Sequence, residues 1–124
     1  MNYHSLDDRQ RLMLSCCYQA VRLHFSHIAI RDIIDPPREM LDAALARQCA
    51  LALMRDAFNV PARRVAIIVD RNRGRIKFAN WTVNTRRECP VFERAYLSMA
   101  RRAREIFHRA VRSRMGVELE EDAA

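Results

Sequence analysis

Apolar residues return every three or four positions along most of the chain, which is the spacing of one face of an α-helix. Leu12, Cys16, Ala20 and Leu23 follow this spacing first and predict a helix over about residues 6–25. The same spacing predicts five more helices, over about residues 28–34, 38–58, 61–69, 73–87 and from 90 onward. We find no strand pattern. The sequence therefore predicts an all-α protein, a bundle of six helices.

Prolines and polar turns mark where these helices end. Pro36 and Pro37 close the second helix, since a proline disfavours helical backbone in the residue before it, and Pro61 follows the third. Asp70-Arg71-Asn72 has the composition of a tight turn, and its last residue is a good N-cap. Two short helices joined by three residues are typical of a helix-turn-helix, which we place within residues 60–83.

Length and composition fit one small domain. The 124 residues suit a single helical DNA-binding domain over residues 1–115, followed by an acidic, disordered tail over 116–124. No apolar run reaches the roughly 18 residues of a membrane span, and the polar N-terminal segment does not resemble a secretory signal. We therefore expect a cytoplasmic, nucleoid-associated protein.

The side chains predict no catalytic or metal site. The cysteines form no C-x-x-C pair and have no histidines at zinc-site spacing, so we expect reduced, buried thiols. They are Cys16, Cys17, Cys49 and Cys89. The histidines and aspartates form no convincing catalytic group. We expect a protein that is not an enzyme and has no cofactor, metal, membrane contact or small-molecule substrate.

The positive charge is concentrated in one part of the chain. Residues 1–60 are balanced, residues 61–114 hold fifteen basic and four acidic side chains, and residues 115–124 hold four acidic ones. Lys77 is the only lysine, and the other cationic side chains are arginines. The planar group of arginine binds phosphate or the guanine edge through two hydrogen bonds. This concentration indicates a polyanionic partner, and double-stranded DNA is the one that a helix-turn-helix binds.

The predicted second helix of the helix-turn-helix begins with a dense group of cations. A recognition helix places this end in the major groove, so Arg73 and Arg75 are the best candidates for guanine contacts. Asn72 is a cap first and a candidate base contact second. Candidate phosphate contacts are the surrounding basic residues Arg63, Arg64, Arg71, Lys77, Arg86 and Arg87.

Two aromatic residues, Phe78 and Trp81, lie in the same predicted helix. We expect them in the hydrophobic core. The alternative is an exposed patch that contacts a partner such as RNA polymerase or a second regulatory protein.

From about Leu14 to Ala103 the chain resembles the DNA-binding domain (domain IV) of the bacterial replication initiator DnaA. The resemblance is carried by the segments VRLHFSHIAIRDII, ALARQCALALMRDAF, RVAIIVDRNRGRIKFANWTV and CPVFERAYLSMARRA. It implies a helix-turn-helix fold and adds Arg47 and Gln48, the Arg-Gln pair of the long third helix, as phosphate contacts.

The departures from this family concern the residues that read DNA. Asn72 stands where the family has an acidic residue, and Arg73, Gly74 and Arg75 stand where it has a histidine and two threonines. Leu45 replaces its minor-groove arginine, and the chain has no phosphate-binding loop of an ATPase. The resemblance therefore implies the fold without the initiator's own DNA site.

The sequence as a whole predicts a sequence-specific DNA-binding regulator of transcription. A stand-alone domain of this kind is similar to alphaproteobacterial activators of gene-transfer-agent genes, which are domesticated phage genes. The first alternative is a protein-interaction or replication-control module that binds an acidic partner or binds DNA non-specifically. A weaker one is an RNA binder or ribonuclease of the toxin kind.

Overall fold

A computed structural model describes residues 5–123 of the chain, with side chains for residues 5–116. These residues form six α-helices, and no strand occurs among them. The helices are α1 (Leu6–His24), α2 (Ile30–Ile34), α3 (Leu41–Phe58), α4 (Ala62–Val69), α5 (Arg73–Arg86) and α6 (Pro90–Ala123). The all-α, six-helix prediction is confirmed.

The breaks between helices follow the polar residues that the sequence points to. Asn59 and Asp70 adopt the left-handed backbone conformation, with φ of 59° and 54°, and end α3 and α4. Asparagine and aspartate tolerate this conformation better than most side chains. The third helix begins at Leu41 rather than near Arg38, because Met40 donates its amide to the carbonyl of Pro37 in a separate turn.

The last helix differs from the prediction at its far end. The sequence predicted disorder from residue 116 onward, whereas the backbone of α6 is helical as far as Ala123. No proline follows Gly116, and the leucine and glutamates beyond it favour helix, so nothing in the covalent chain ends α6 there. The side chains of residues 117–124 lie outside the described ones.

Helix α3 is the centre of the bundle and packs against all five other helices. Its buried positions are rich in small side chains, among them Ala43, Ala46, Cys49 and Ala50. Small side chains let neighbouring helices approach from several directions at native packing density. The central position of α3 therefore determines where α5 can pack.

Helix α5 rests on α3 through one apolar face. Ile76, Ala79 and Val83, spaced three and four residues apart, are almost completely buried. The shorter α4 packs against α5, and Val65 of α4 is buried in the core. Since the inward face of α5 is fixed in this way, the residues on its opposite side must face outward.

An ionic cluster joins α3 to the start of α6. The carboxylate of Asp56 accepts hydrogen bonds from Arg55 at 2.9 Å and from the Tyr96 hydroxyl at 2.7 Å. Burial raises the pKa of Asp56, but the hydrogen bonds from Arg55 and Tyr96 outweigh burial and hold this pKa below its usual value. Arg55 also donates to Asn84 of α5 at 2.7 Å, which ties the end of α5 to the same cluster.

Three of the four cysteines are buried as expected. Burial raises the pKa of Cys16 to about 11 and that of Cys49 to about 12, so both thiols stay protonated near neutral pH. Cys89 is exposed, contrary to the prediction, because it directly precedes the first residue of α6. Within the described part of the chain, no helix has the length and apolarity that crossing a bilayer requires.

We predict that Ile76→Ala lowers the free energy of unfolding by about 2–5 kcal/mol, because Ile76 is 1% exposed and its truncation leaves a cavity between α5 and α3. Urea denaturation followed by circular dichroism measures this loss. Ile67→Ala is the matched control: Ile67 is 59% exposed on α4, so its truncation changes the free energy by less than about 0.5 kcal/mol. Equal losses for the two variants would show that α5 is not seated as described.

Candidate nucleic-acid interface

The N-terminus of α5 is a capped helix end that projects into solvent. The side-chain oxygen of Asn72 accepts a hydrogen bond from the backbone amide of Arg75 at 2.8 Å, which confirms its predicted capping role. A Cβ on Gly74 would lie 3.3 Å from this oxygen, so a larger residue would crowd the cap. Asn72 and Gly74 therefore define where α5 begins.

This helix end concentrates positive charge. The first turn of α5 holds no acidic residue, while Arg71, Arg73, Arg75 and Lys77 are all exposed around it. The amide groups of a helix N-terminus are themselves equivalent to about half a positive charge, so cations there repel the helix end. Among the described residues, Arg73, Arg75 and Lys77 form no side-chain hydrogen bond or ion pair. A bound anion would therefore stabilise this helix end.

One face of α5, which we call the outer ridge, consists of Arg73, Gly74, Lys77, Phe78 and Trp81. The helical period places Gly74, Lys77, Phe78 and Trp81 on the side opposite the buried face of α5. Arg73 lies at the edge of the ridge, on the flank of α5 away from Arg75. Every member of the ridge is exposed. The ridge runs from the cationic N-terminus over more than two helical turns.

The prediction that Phe78 and Trp81 belong to the core is wrong. They are 58% and 62% exposed, and their rings stack on each other with centroids 6.0 Å apart and planes at 25°. The helical period explains the error, because the inward positions of α5 are already filled by three aliphatic residues. The observed exposure agrees instead with the alternative of a contact patch.

A cleft of about 580 Å³ lies beside the ridge, between α5 and α3. Arg75 and Arg71 line it from one side, and Arg47 and Gln48 from the other. We call it the basic cleft. Asp35 is the acidic residue in its lining. Gly74 and Phe78 of the outer ridge also line the cleft. Arg75 therefore lies towards the cleft, whereas Arg73 does not line it.

Two cations of the cleft also hold the backbone in place. Arg47 donates to the Tyr18 hydroxyl at 3.3 Å and to the carbonyl of Ile34. Arg71 donates to the carbonyl of Asp70 at 3.2 Å. These bonds have neutral acceptors, and neither guanidinium forms an ion pair within the part of the chain whose side chains are described.

Two of the predicted phosphate contacts are engaged inside the protein. Arg64 donates to Gln10 at 3.0 Å and to the carboxylate of Asp7. Its charge links α4 to α1, and binding a phosphate would require breaking this ion pair. We therefore leave Arg64 out of the candidate interface.

Arg87 is held more firmly still. It binds Glu93 through two hydrogen bonds of 2.6 and 2.8 Å and lies 3.4 Å from Asp56. Its guanidinium also sits 5.0 Å above the ring of Tyr96. Since two carboxylates already neutralise this charge, Arg87 belongs to the ionic cluster of α3 and α6, and we leave it out as well.

The last two predicted phosphate contacts, Arg63 and Arg86, are accessible to solvent. Arg63 lies on the outward face of α4, and Arg86 lies in the last turn of α5. Neither forms an ion pair among the described residues. The candidate interface thus consists of the outer ridge, the basic cleft and these two flanking arginines.

Comparison of the chain with protein-family models, with curated proteins and with solved structures found no match. The resemblance to the initiator's DNA-binding domain therefore remains a prediction. The functional argument depends on the geometry of α5 and its surroundings.

We predict that Asn72→Ala lowers the free energy of unfolding by about 1 kcal/mol, because the amide of Arg75 loses its side-chain acceptor at the helix start. Thermal and urea denaturation measure the change. Asn72→Ser is the matched control, since serine also caps helices and keeps stability close to that of the natural chain. A destabilisation by serine equal to that by alanine would contradict the capping role.

Proposed function

We propose that this protein is a sequence-specific, double-stranded DNA-binding regulator of transcription, with α4 and α5 as its helix-turn-helix. The observation that carries the proposal is the exposed N-terminus of α5, where cations that form no ion pair with the described residues crowd the positive end of a helix dipole. DNA phosphates relieve that repulsion, and a duplex offers a groove into which an exposed helix fits.

The dimensions of α5 suit this role. Its 14 residues extend about 21 Å, and the outer ridge occupies the N-terminal part of this length, from Arg73 to Trp81, where no other helix of the described residues covers it. The major groove of B-DNA is about 12 Å wide, enough to admit an α-helix with its side chains. Helix α4 would then lie across the entrance of the groove and present Arg63 to the backbone.

The two arginines predicted to contact guanine take different places and, we propose, different tasks. Arg73 is the exposed first residue of α5, the helix end that a recognition helix places in the groove, so it reads a base edge, and Lys77 follows it one turn later. Arg75 lies towards the basic cleft, so it joins Arg71, Arg47 and Gln48 on the phosphates of one strand. This assignment changes the prediction for Arg75 and keeps that for Arg73.

The resemblance noted in the sequence suggests the biological setting. We propose a fold related to domain IV of DnaA and a role in activating a phage-like or gene-transfer-agent gene set. The altered recognition residues Arg73, Gly74 and Arg75 imply a DNA site different from that of the initiator. RNA polymerase or a second regulatory protein is the partner through which activation would proceed.

One observation favours a second candidate function. Helix α6 carries exposed arginines that lie apart from α5, namely Arg101, Arg102, Arg104, Arg109 and Arg112. A module that binds an acidic protein, or DNA without regard to sequence, would use such a dispersed surface. Selection of a preferred duplex separates this function from the first.

The test begins with selection of binding sites from a randomised duplex library, followed by titration of selected and scrambled duplexes. Arg73→Ala should lose about 1–3 kcal/mol at one base pair and accept other bases there. Arg75→Ala should weaken binding to all duplexes alike and flatten the dependence on salt. With about six phosphate contacts, we expect the natural chain to lose about 10³-fold in affinity between about 50 and 200 mM salt.

Arg94→Ala is the control for these substitutions, since Arg94 is an exposed arginine on α6 without an ion-pair partner in the described part of the chain. It should bind the selected duplex as the natural chain does. Equal affinity for selected and scrambled duplexes would contradict a sequence-specific regulator, and no duplex binding at all would refute the proposal.

A further inference from the structure

We infer that the stacked pair of Phe78 and Trp81 reads thymine, by packing against the C5-methyl groups that thymines expose in the major groove. This inference rests on the proposed function and names what the outer ridge recognises. It concerns two side chains that the cationic part of the argument leaves unused.

The first observation is the state of the two rings. Both are more than half exposed, yet they stack at 6.0 Å with planes only 25° apart. Stacking restricts the rotamers of both side chains before any partner arrives, so less conformational entropy remains to be lost on binding. The pair is a preformed apolar plate on the surface.

The second observation is where this plate lies. Lys77 directly precedes Phe78 and lies one helical turn before Trp81, so the rings lie beside an exposed cation that has no ion-pair partner among the described residues. A partner that covers the rings must accept positive charge within one helical turn of them. This charge pattern favours a polyanion that also presents apolar groups, and disfavours a purely hydrophobic protein groove.

The major groove of DNA has this combination. Phosphates line both of its edges, and the thymine methyl is the apolar group that its base pairs display. Gly74 lies on the ridge one turn before Phe78 and has no side chain to hold the helix away from the base edges. The helix can therefore approach closely enough for aromatic rings to meet methyl groups.

The inference predicts an effect that recognition through hydrogen bonds to base edges does not predict. Replacing a thymine by deoxyuridine removes only the methyl group and leaves every hydrogen-bonding atom in place. Loss of one buried methyl should weaken binding about fourfold. We expect this loss at one or two thymines of the selected duplex and little change at the others.

The experiment uses the full chain and the selected duplex, with each thymine replaced in turn by deoxyuridine. Trp81→Ala and Phe78→Ala should each weaken binding to the natural duplex and no longer distinguish it from the substituted one. Both residues are exposed, and circular dichroism checks that the variants stay folded. Leu97→Ala on α6, where Leu97 is 50% exposed, is the control and should keep the methyl effect.

Each other outcome identifies which proposal fails. Sequence-specific binding that is indifferent to every methyl group, or a selected site without thymine, overturns the inference while the regulator remains. Variants that bind DNA normally but fail to bind RNA polymerase would assign the rings to a protein partner and also overturn it. Absence of duplex binding by the natural chain would refute the proposed function itself, and the inference with it.

Discussion

The packing of α5 on α3 is the interaction on which the rest of the structure depends. Ile76, Ala79 and Val83 are buried against a helix whose small residues allow close approach. Because an α-helix has a fixed period, burying these three side chains orients every other residue of α5. The outer ridge and the basic cleft are both consequences of that orientation.

The positive charge at the N-terminus of α5 lowers the stability of the folded protein when no partner is bound. Helices normally begin with acidic residues, which interact well with the dipole, whereas α5 begins with Arg73 and Arg75. Some arginines elsewhere are neutralised within the protein: Arg64 forms an ion pair with Asp7, and Arg87 forms ion pairs with Glu93 and Asp56. These ion pairs identify Arg64 and Arg87 as structural cations, whereas Arg73 and Arg75 combine the lack of an ion pair among the described residues with a position at the positive end of a helix.

The sequence predicted the helices well because their signals are local. Apolar spacing, prolines and capping residues act within a few positions, and they placed the start of α5 at Arg73 as observed. The ion pairs could not be predicted, since Arg64 and Asp7 are 57 positions apart and only the packed helices bring them together. The exposure of Phe78 and Trp81 was not predicted, because large aromatic side chains usually favour burial, whereas their angular position on α5 turns both away from the core.

Position on α5 also suggests how affinity and selectivity are divided. Arg75 and Arg71 lie beside the helix, where the backbone of a duplex in contact with the ridge would pass, and phosphates carry no sequence information. Arg73, Phe78 and Trp81 lie on the ridge itself, where base edges would be met. Under the proposed function, ridge substitutions would change the target site while the cations of the basic cleft keep the general attraction to DNA. Arg73 and Gly74, which differ from the pattern of the family that the sequence resembles, would be substitutions of this kind.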